Sequence, residues 1–376
     1  MPQQKIEAPT SAGRAIDSDH ARAFVAGVMP WNHTTITSLF TVAAGKPVFC
    51  VSFDDAVSQA QRSGGRVIAW SARLTKQHEA MCADEGIPLL RVEDGFIRSV
   101  GLGAGFVPAA SLAVDARGIY YDATRPSDLE VLLETMELGD DQRQDGAAIR
   151  REIVTARLSK YNLRGKAWHD GLPKNREIVL VPGQVADDAS VKLTTSSSID
   201  TAGAENINAQ LLRQVRARNP NAYIVYKPHP DVRFGLRDGA ISALDVERYA
   251  DHVVDDTDIL SLIDRCDRVE TISSLVGFEA LLRGKAVTPH GLPFYAGWGL
   301  TNDLVQTPRR SRVRTIDELT YIAFSIYTRH VNPLSRNVCG IHELIQSLVQ
   351  QRKERWHHVR NTGLRHIARL YERFAV

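Results

Sequence analysis

Residues 268–301 read RVETISSLVGFEALLRGKAVTPHGLPFYAGWGLT, and the order of the parts sets the fold class. RVETI is a short extended run, and Ser273 and Ser274 stand where a strand ends and a helix begins. LVGFEALLRG is helical in pattern, and KAVTP from Lys285 is extended again. Strand, helix and strand in this order make a βαβ unit, the building block of a parallel sheet. The hydroxyls of Ser273 and Ser274, with the free N–H groups that follow them, are placed to receive a nucleotide phosphate. Glu279, about one turn on, suits ribose hydroxyls. Phe294, Tyr295, Gly297, Trp298 and Gly299 read as a shaped binding loop, because glycine permits close backbone approach. The ligand class that fits this combination is an activated, nucleotide-linked sugar.

The same rhythm extends outward in both directions. EIVLVPG at Glu177, NAQLLRQVRAR from Asn208, AYIVY at Ala222 and ILSLIDRC from Ile259 alternate extended and amphipathic runs. An earlier series does likewise: PVFCV near Val48, DDAVSQAQR from Asp54, RVIAW near Val67, a helix from Thr75, and PLLRV ending at Val92. Between them lies a polar stretch with a helix-like REIVTARLSKY, followed by Gly171, Leu172 and Pro173 as a hinge. The expectation is therefore α/β, with two Rossmann-like domains whose parallel sheets face a central cleft and with ligands at the carboxyl ends of the strands. The first domain spans residues 20–165 and the second 176–315. Residues 316–376 form C-terminal helices and a basic tail, with IDELTYIAFSIYTRH from Ile316 and IHELIQSLVQQRKERW from Ile341 as helices.

Composition bounds the function. With 376 residues and 43% apolar content, the chain can bury two ordinary cores. A formal charge of +2 is too small for the protein as a whole to bind nucleic acid electrostatically. Cys50, Cys82, Cys266 and Cys339 are scattered without paired spacing, which argues against a zinc site or a disulfide framework and fits a reducing cytoplasm. The start, to about Asp19, is polar, lacks an apolar signal core and is expected to be poorly ordered; no later run reaches membrane-spanning length. The tail from Arg352 to Arg373 interleaves Arg and His with Trp356, Leu364, Ile367 and Leu370. Such a segment either lies on an anionic membrane surface or forms the solvated outer face of a packed helix.

Three further motifs carry chemistry. In RVEDGFIRSVGLGAG, from Arg91 to Gly105, a strand delivers Glu93 and Asp94 to the cleft. Adjacent residues of an extended chain point to opposite faces, so one carboxylate faces the ligand and the other supports it. A carboxylate at a sugar's anomeric carbon is a nucleophile or a base, and Arg98 is suited to a substrate carboxylate. The alternative is an acidic turn closed by Gly95 and neutralised by Arg98. Gly101, Gly103 and Gly105 lack dinucleotide-fingerprint spacing. In YKPHPDVRFGLRDG, from Tyr226, Pro228 and Pro230 fix Lys227 and His229 at a strand's exit. His229 there can donate to a leaving phosphate, with Lys227 adding charge, or be structural. In VPGQVADDASV, from Val181, Gly183 and Gln184 can approach a substrate, while Asp187, Asp188 and Ser190 are helix-capping residues or sugar contacts. The paired aspartates lack a third ligand at evident spacing, so no metal is expected.

Taken together, RVEDGFIRSVGLG, GQVADDAS, KPHPDVRFGLRDG, SSLVGFEALLRGKAV and PFYAGWGLT resemble the capsule β-Kdo transferase family of the KpsC type, over roughly Phe24 to Glu343. The resemblance implies a GT-B-like fold and retaining transfer of Kdo, an acidic eight-carbon sugar, from CMP-β-Kdo to a Kdo-bearing glycolipid acceptor in capsule assembly. It implies Asp94 as nucleophile with Glu93 positioning it or managing protons, the reverse assignment remaining open. It further implies that His229 and Lys227 serve the nucleotide phosphate, that Ser273, Ser274 and Glu279 bind CMP, that Arg98 meets the Kdo carboxylate, and that no cofactor beyond the CMP-Kdo donor is needed. Family members often carry two such modules in tandem; this chain has one copy of each motif, which leaves linkage and acceptor open. The location implied is cytoplasmic, peripheral to the inner membrane if the tail meets lipid. The competing readings are an inverting CMP-sialyltransferase-like enzyme with Asp94 as general base, and a non-catalytic glycan-binding component of capsule export.

Overall fold

The computed structural model describes residues 21–101, 106–162, 165–168, 171–233, 235, 237–255 and 257–354. The first nineteen residues, Gly103 and Gly105 of the glycine run, and the basic tail beyond Glu354 lie outside the described residues.

Among the described residues, twelve strands form two sheets. The second, in the order β10-β9-β6-β7-β8, is parallel throughout. Its strands are β6 (Ile178–Pro182), β7 (Tyr223–Lys227), β8 (His252–Val253), β9 (Arg268–Thr271) and β10 (Ala286–Pro289). β6 is buried along its whole length, which is why IVLV is continuously apolar rather than alternating. The chain leaves β6 toward β7 on one side and returns to β9 on the other, so the carboxyl ends of β6 and β9 flank the topological switch point. The residues that follow them are Gly183 and Gln184 on one side and Ser273 and Ser274 on the other.

The first sheet runs β12-β11-β5-β4-β3-β1-β2. β1 (Ala23–Ala26), β2 (Val48–Phe49), β3 (Arg66–Trp70) and β4 (Leu89–Asp94) are parallel. β5 (Ser111–Asp115) is antiparallel to β4, and β11 (Thr328–Val331) and β12 (Val338–Cys339) continue antiparallel beyond it. This corrects the all-parallel expectation for the first sheet. After β4 the chain doubles back without a crossover on the far face: the Gly95 N–H donates to the Ser111 carbonyl at 2.9 Å, and a Cβ at Gly95 would lie 2.1 Å from Ser111 Oγ. Glycine is needed there by proximity.

Local signals account for the connecting helices. Ser52 caps Phe53–Ser63 by accepting the Asp55 N–H, and Gly64 ends the helix with φ 62°. Thr75 and His78 form a reciprocal cap at Lys76–Asp84. The far end departs from expectation. Ile316–Tyr321 passes into a wider π-helical turn, Ile322–Tyr327, and the chain then becomes β11 instead of remaining helical to His330. Thr328 Oγ1 donates to the Ala323 and Phe324 carbonyls, closing the helix before the strand-forming TRHV segment. Residues 328–339 thus complete the first sheet rather than forming a separate helical cap, and Ile341–Lys353 packs back on Asp140–Thr155.

The two lobes share one apolar core. Phe96, just after β4, stacks on Phe294 at 4.6 Å and meets Phe278, Tyr120 and Phe324 edge-on. It belongs to a cluster that includes Leu180 and Trp298 of the second lobe. All four cysteines are free.

Candidate active site

β4 ends in the acidic pair, at the carboxyl edge of the first sheet. Its parallel neighbour β3 and antiparallel neighbour β5 fix the register, with Glu93 opposite Ala113 and Asp94 opposite Leu112. The two side chains then part. Asp94 Oδ1 receives the Arg98 Nε–H at 2.7 Å, and the Tyr120 hydroxyl donates to the Asp94 carbonyl at 3.3 Å. Glu93 Oε1 accepts the Asp94 N–H at 3.1 Å, while Oε2 is buried and has no hydrogen-bond partner among the described residues. Burial, followed by the Asp94 charge beside it, pushes the Glu93 carboxyl up from 4.5 to about 8. Glu93 is thereby shifted toward its protonated form.

Arg98 was expected to meet a substrate carboxylate. The structure instead buries it at 1% exposure, with Nε on Asp94 and Nη1 on Ser99 Oγ and the Val107 carbonyl. It is the counterion of the protein's own acidic turn, which is what neutralisation of that turn requires.

In the second lobe, the exit of β7 presents His229. Its Nδ1 accepts the Asp231 N–H at 3.2 Å, which makes Nε2 the protonated nitrogen of the neutral ring. Burial holds its pKa below the ordinary histidine value, although the Asp231 and Asp188 charges oppose that shift. The Lys227 ammonium donates to the Asp255 carbonyl at 3.1 Å.

At the switch point Gln184 is an internal organiser, not an exposed contact. It is 5% exposed, and its Oε1 accepts from Thr271 Oγ1 and from the Ile272 and Ser273 N–H groups. Ser273 Oγ donates to the Ser190 carbonyl, and Ser274 caps Leu275–Leu282 by accepting the Val276 N–H. The two hydroxyls are thus spent on shaping the turn, and what this end offers an anion is the field of the helix terminus. Glu279, expected at a ribose, is also buried. Its Oε1 accepts the Lys160 N–H at 2.9 Å, tying the inter-lobe segment to the second lobe.

Asp188 caps the short helix Ala189–Lys192. Asp187 pairs with Arg237 at 2.8 Å. Among the described residues, no group of three or more His, Cys, Asp and Glu side chains is arranged to hold a metal.

Lys160 was missed in the sequence because it falls inside REIVTARLSKY, whose helical pattern hides its role. The helix stops at Thr155, Arg157 takes φ 49°, and Lys160 lies in the irregular segment between the lobes. Its positive charge acts on Asp94 and Glu93 from one lobe and on His229 from the other, and the Asp188 charge acts on Glu93 and His229 alike. Asp94, Glu93, Lys160, Asp188 and His229 therefore form one electrostatic neighbourhood spanning both lobes.

Comparison with known proteins fits this arrangement. The family profile described as "Capsule polysaccharide biosynthesis protein" matches residues 66–157 and 141–334. The chain is 38% identical over 347 residues to the capsule polysaccharide modification protein LipA of Neisseria meningitidis serogroup A, a match covering 90% of this chain and 47% of LipA. It is 40% identical over 288 residues to the lipopolysaccharide-processing protein LpsZ of Rhizobium meliloti, covering 76% of this chain and 64% of LpsZ. The chain spans about half the length of the LipA proteins it matches. A solved structure titled Thermosulfurimonas dismutans KpsC, beta Kdo 2,4 transferase, superposes with a TM-score of 0.75 at 32% identity, covering 89% of this chain and 99% of the other. A second, titled beta Kdo 2,7 transferase of the same organism's KpsC, gives 0.71 at 32% identity over 88% and 100%. The fold is accordingly GT-B-like, with two Rossmann-like lobes. With the profile running through both lobes and a solved relative aligned over almost its whole length, the chain belongs to the capsule polysaccharide biosynthesis protein family.

Proposed function

We propose that this chain is a retaining β-Kdo glycosyltransferase that moves Kdo from CMP-β-Kdo to a Kdo-bearing glycolipid acceptor in capsule polysaccharide synthesis. The observation that supports the reading is the shared electrostatic neighbourhood: the Lys160 and Asp188 charges act both on Glu93 of the acidic pair in one lobe and on His229, Nε2-protonated in its neutral form, in the other, in a chain related to KpsC modules.

Asp94 attacks the anomeric carbon while the bond from that carbon to the cytidylate phosphate oxygen breaks. The His229 Nε2–H and the N-terminal end of Leu275–Leu282 stabilise the charge gathering on the departing phosphate. The sugar is then esterified to Asp94, whose negative charge is gone. That charge is one of the causes raising Glu93, so in the intermediate Glu93 releases its proton to solvent more readily than in the free protein. Ionised Glu93 takes the proton of the acceptor hydroxyl as that oxygen attacks the anomeric carbon and Asp94 leaves. Two inversions restore the starting configuration.

Incubation with CMP-Kdo generated in situ and a synthetic β-Kdo acceptor tests the reading. The expected result is CMP release and a β-configured product by NMR. An inverted product would replace the nucleophile with a base, and no CMP release would remove the enzymatic reading.

A further inference from the structure

Lys160 is held more firmly than an irregular connector requires. Its N–H donates to Glu279 Oε1 of the second lobe at 2.9 Å, and its carbonyl accepts the Arg98 N–H of the acidic turn at 2.8 Å. The backbone is thus fixed from both sides of the cleft, beside the residue that pairs with Asp94. The side chain extends over the Tyr161 ring, with the ammonium 5.3 Å from its centroid. Asp94, Glu93 and Tyr120 lie within electrostatic range of it. Among the described residues, no carboxylate pairs with this ammonium within 4.0 Å, whereas the neighbouring Arg98 is already paired. The ammonium is held by the Tyr161 side chain, so its charge acts on the acidic pair without a direct ion pair to either carboxylate among the described residues.

The chemistry of the substrate explains the arrangement. In a sugar such as Kdo the anomeric carbon bears a carboxylate, so attack by Asp94 brings two anions onto the same carbon. A protein that presents only its own acidic pair would repel this substrate as it reached reacting distance. We propose that the Lys160 ammonium receives the carboxylate carried on the anomeric carbon of the transferred sugar and screens it from Asp94 during attack. The proposal rests on the donor named above and adds the group that recognises its acid function, the role that the buried Arg98 does not fill. It also makes Lys160 a selector: a nucleotide sugar with hydrogen at that position leaves a cation unmatched in the cleft.

Lys160→Met keeps the length of the side chain and the backbone contacts while removing the charge, and Lys160→Arg restores charge. The wild-type chain, assayed with CMP-Kdo and acceptor, is the control for the function itself. Its failure to release CMP overturns the donor assignment, and the Lys160 proposal with it. With wild-type turnover present, Lys160→Met is expected to lose about 100-fold in kcat/KM for CMP-Kdo. Its affinity for CMP, which has no sugar carboxylate, should stay within about twofold by calorimetry, and Lys160→Arg should recover part of the turnover. Wild-type kcat/KM in Lys160→Met overturns the proposal alone. So does a fall in CMP affinity that matches the fall in turnover, or an equal loss in Lys160→Arg and Lys160→Met.

Discussion

Glu93 and Asp94 are chain neighbours that the fold treats differently. The pleat of β4 sends one toward Arg98 and leaves a Glu93 oxygen buried without a hydrogen-bond partner among the described residues. A carboxylate beside a guanidinium and a carboxyl shifted toward its protonated form are two chemical tools, and the proposal of Asp94 as nucleophile draws on that difference. Asp94→Asn should lose transfer by on the order of 1,000-fold or more while still binding CMP, checked by product analysis and calorimetry. A mass adduct of one Kdo on the wild-type protein, absent from the variant, would mark the same residue. Glu93 also makes a stability prediction. Between about pH 4.5 and about pH 8 the folded chain retains a proton that the unfolded chain has released, so raising the pH through that window drains stability from the wild type. Glu93→Gln removes this linkage. Denaturant midpoints taken at about pH 5 and about pH 8.5 should show the variant gaining on the wild type at the higher pH. The identity of the acidic pair was legible in the sequence, because EDG follows an apolar strand. The fate of Arg98 was not, because four residues of spacing are equally compatible with a substrate contact and with an ion pair back to Asp94.

At the scale of elements, the βαβ unit around Leu275–Leu282 shows how a binding turn is held from behind. The Tyr295 hydroxyl reaches past Gly277 to donate to the Ser274 carbonyl at 2.6 Å, and a Cβ at Gly277 would sit 2.3 Å from that hydroxyl. Tyr295 is completely buried and has no space to withdraw into. Gly277→Ala should therefore displace the start of the helix, costing roughly 1 to 3 kcal/mol of stability and weakening CMP binding, with thermal melts and calorimetry as the measurements. Helix propensity alone predicts a gain from the same substitution, so the sign is diagnostic. The sequence reveals this unit because its punctuation is local: extended run, serine pair, apolar helix, extended run. It conceals β1 and β5, whose AFVA and SLAVD segments are short and have no turn signals of their own, and it overextends the helix at Ile316 because β11 is selected by pairing with β5 rather than by its own pattern. Lys160 was hidden by the same limitation, since an amphipathic run does not show where tertiary contacts end a helix.

Across the whole molecule, the two sheets could have been independent folding units joined at a cleft, and alternation of strands and helices predicts no more than that. The segment after β4 changes the outcome by driving Phe96 into the second lobe, where it is 2% exposed and surrounded by Phe278, Phe294 and Phe324, while residues 328–339 return to finish the first sheet. The acidic motif and the inter-lobe core thus share one loop: Phe96 lies two residues from Asp94, and the Arg98 backbone holds Lys160. Truncating Phe96 should consequently do more than open a cavity. Phe96→Ala is expected to cost about 3 to 5 kcal/mol, the range for a fully buried aromatic. Because the lost contacts lie between lobes, urea unfolding followed separately by far-UV circular dichroism and by tryptophan fluorescence should resolve into two transitions where the wild type shows one. Turnover should fall as well, since the loop that follows Asp94 loses its anchor. A variant that unfolds in a single coincident transition at the wild-type midpoint would mean that the aromatic cluster is not what couples the lobes. The remaining ties through Lys160, Arg98 and Glu279 would then have to hold the cleft together.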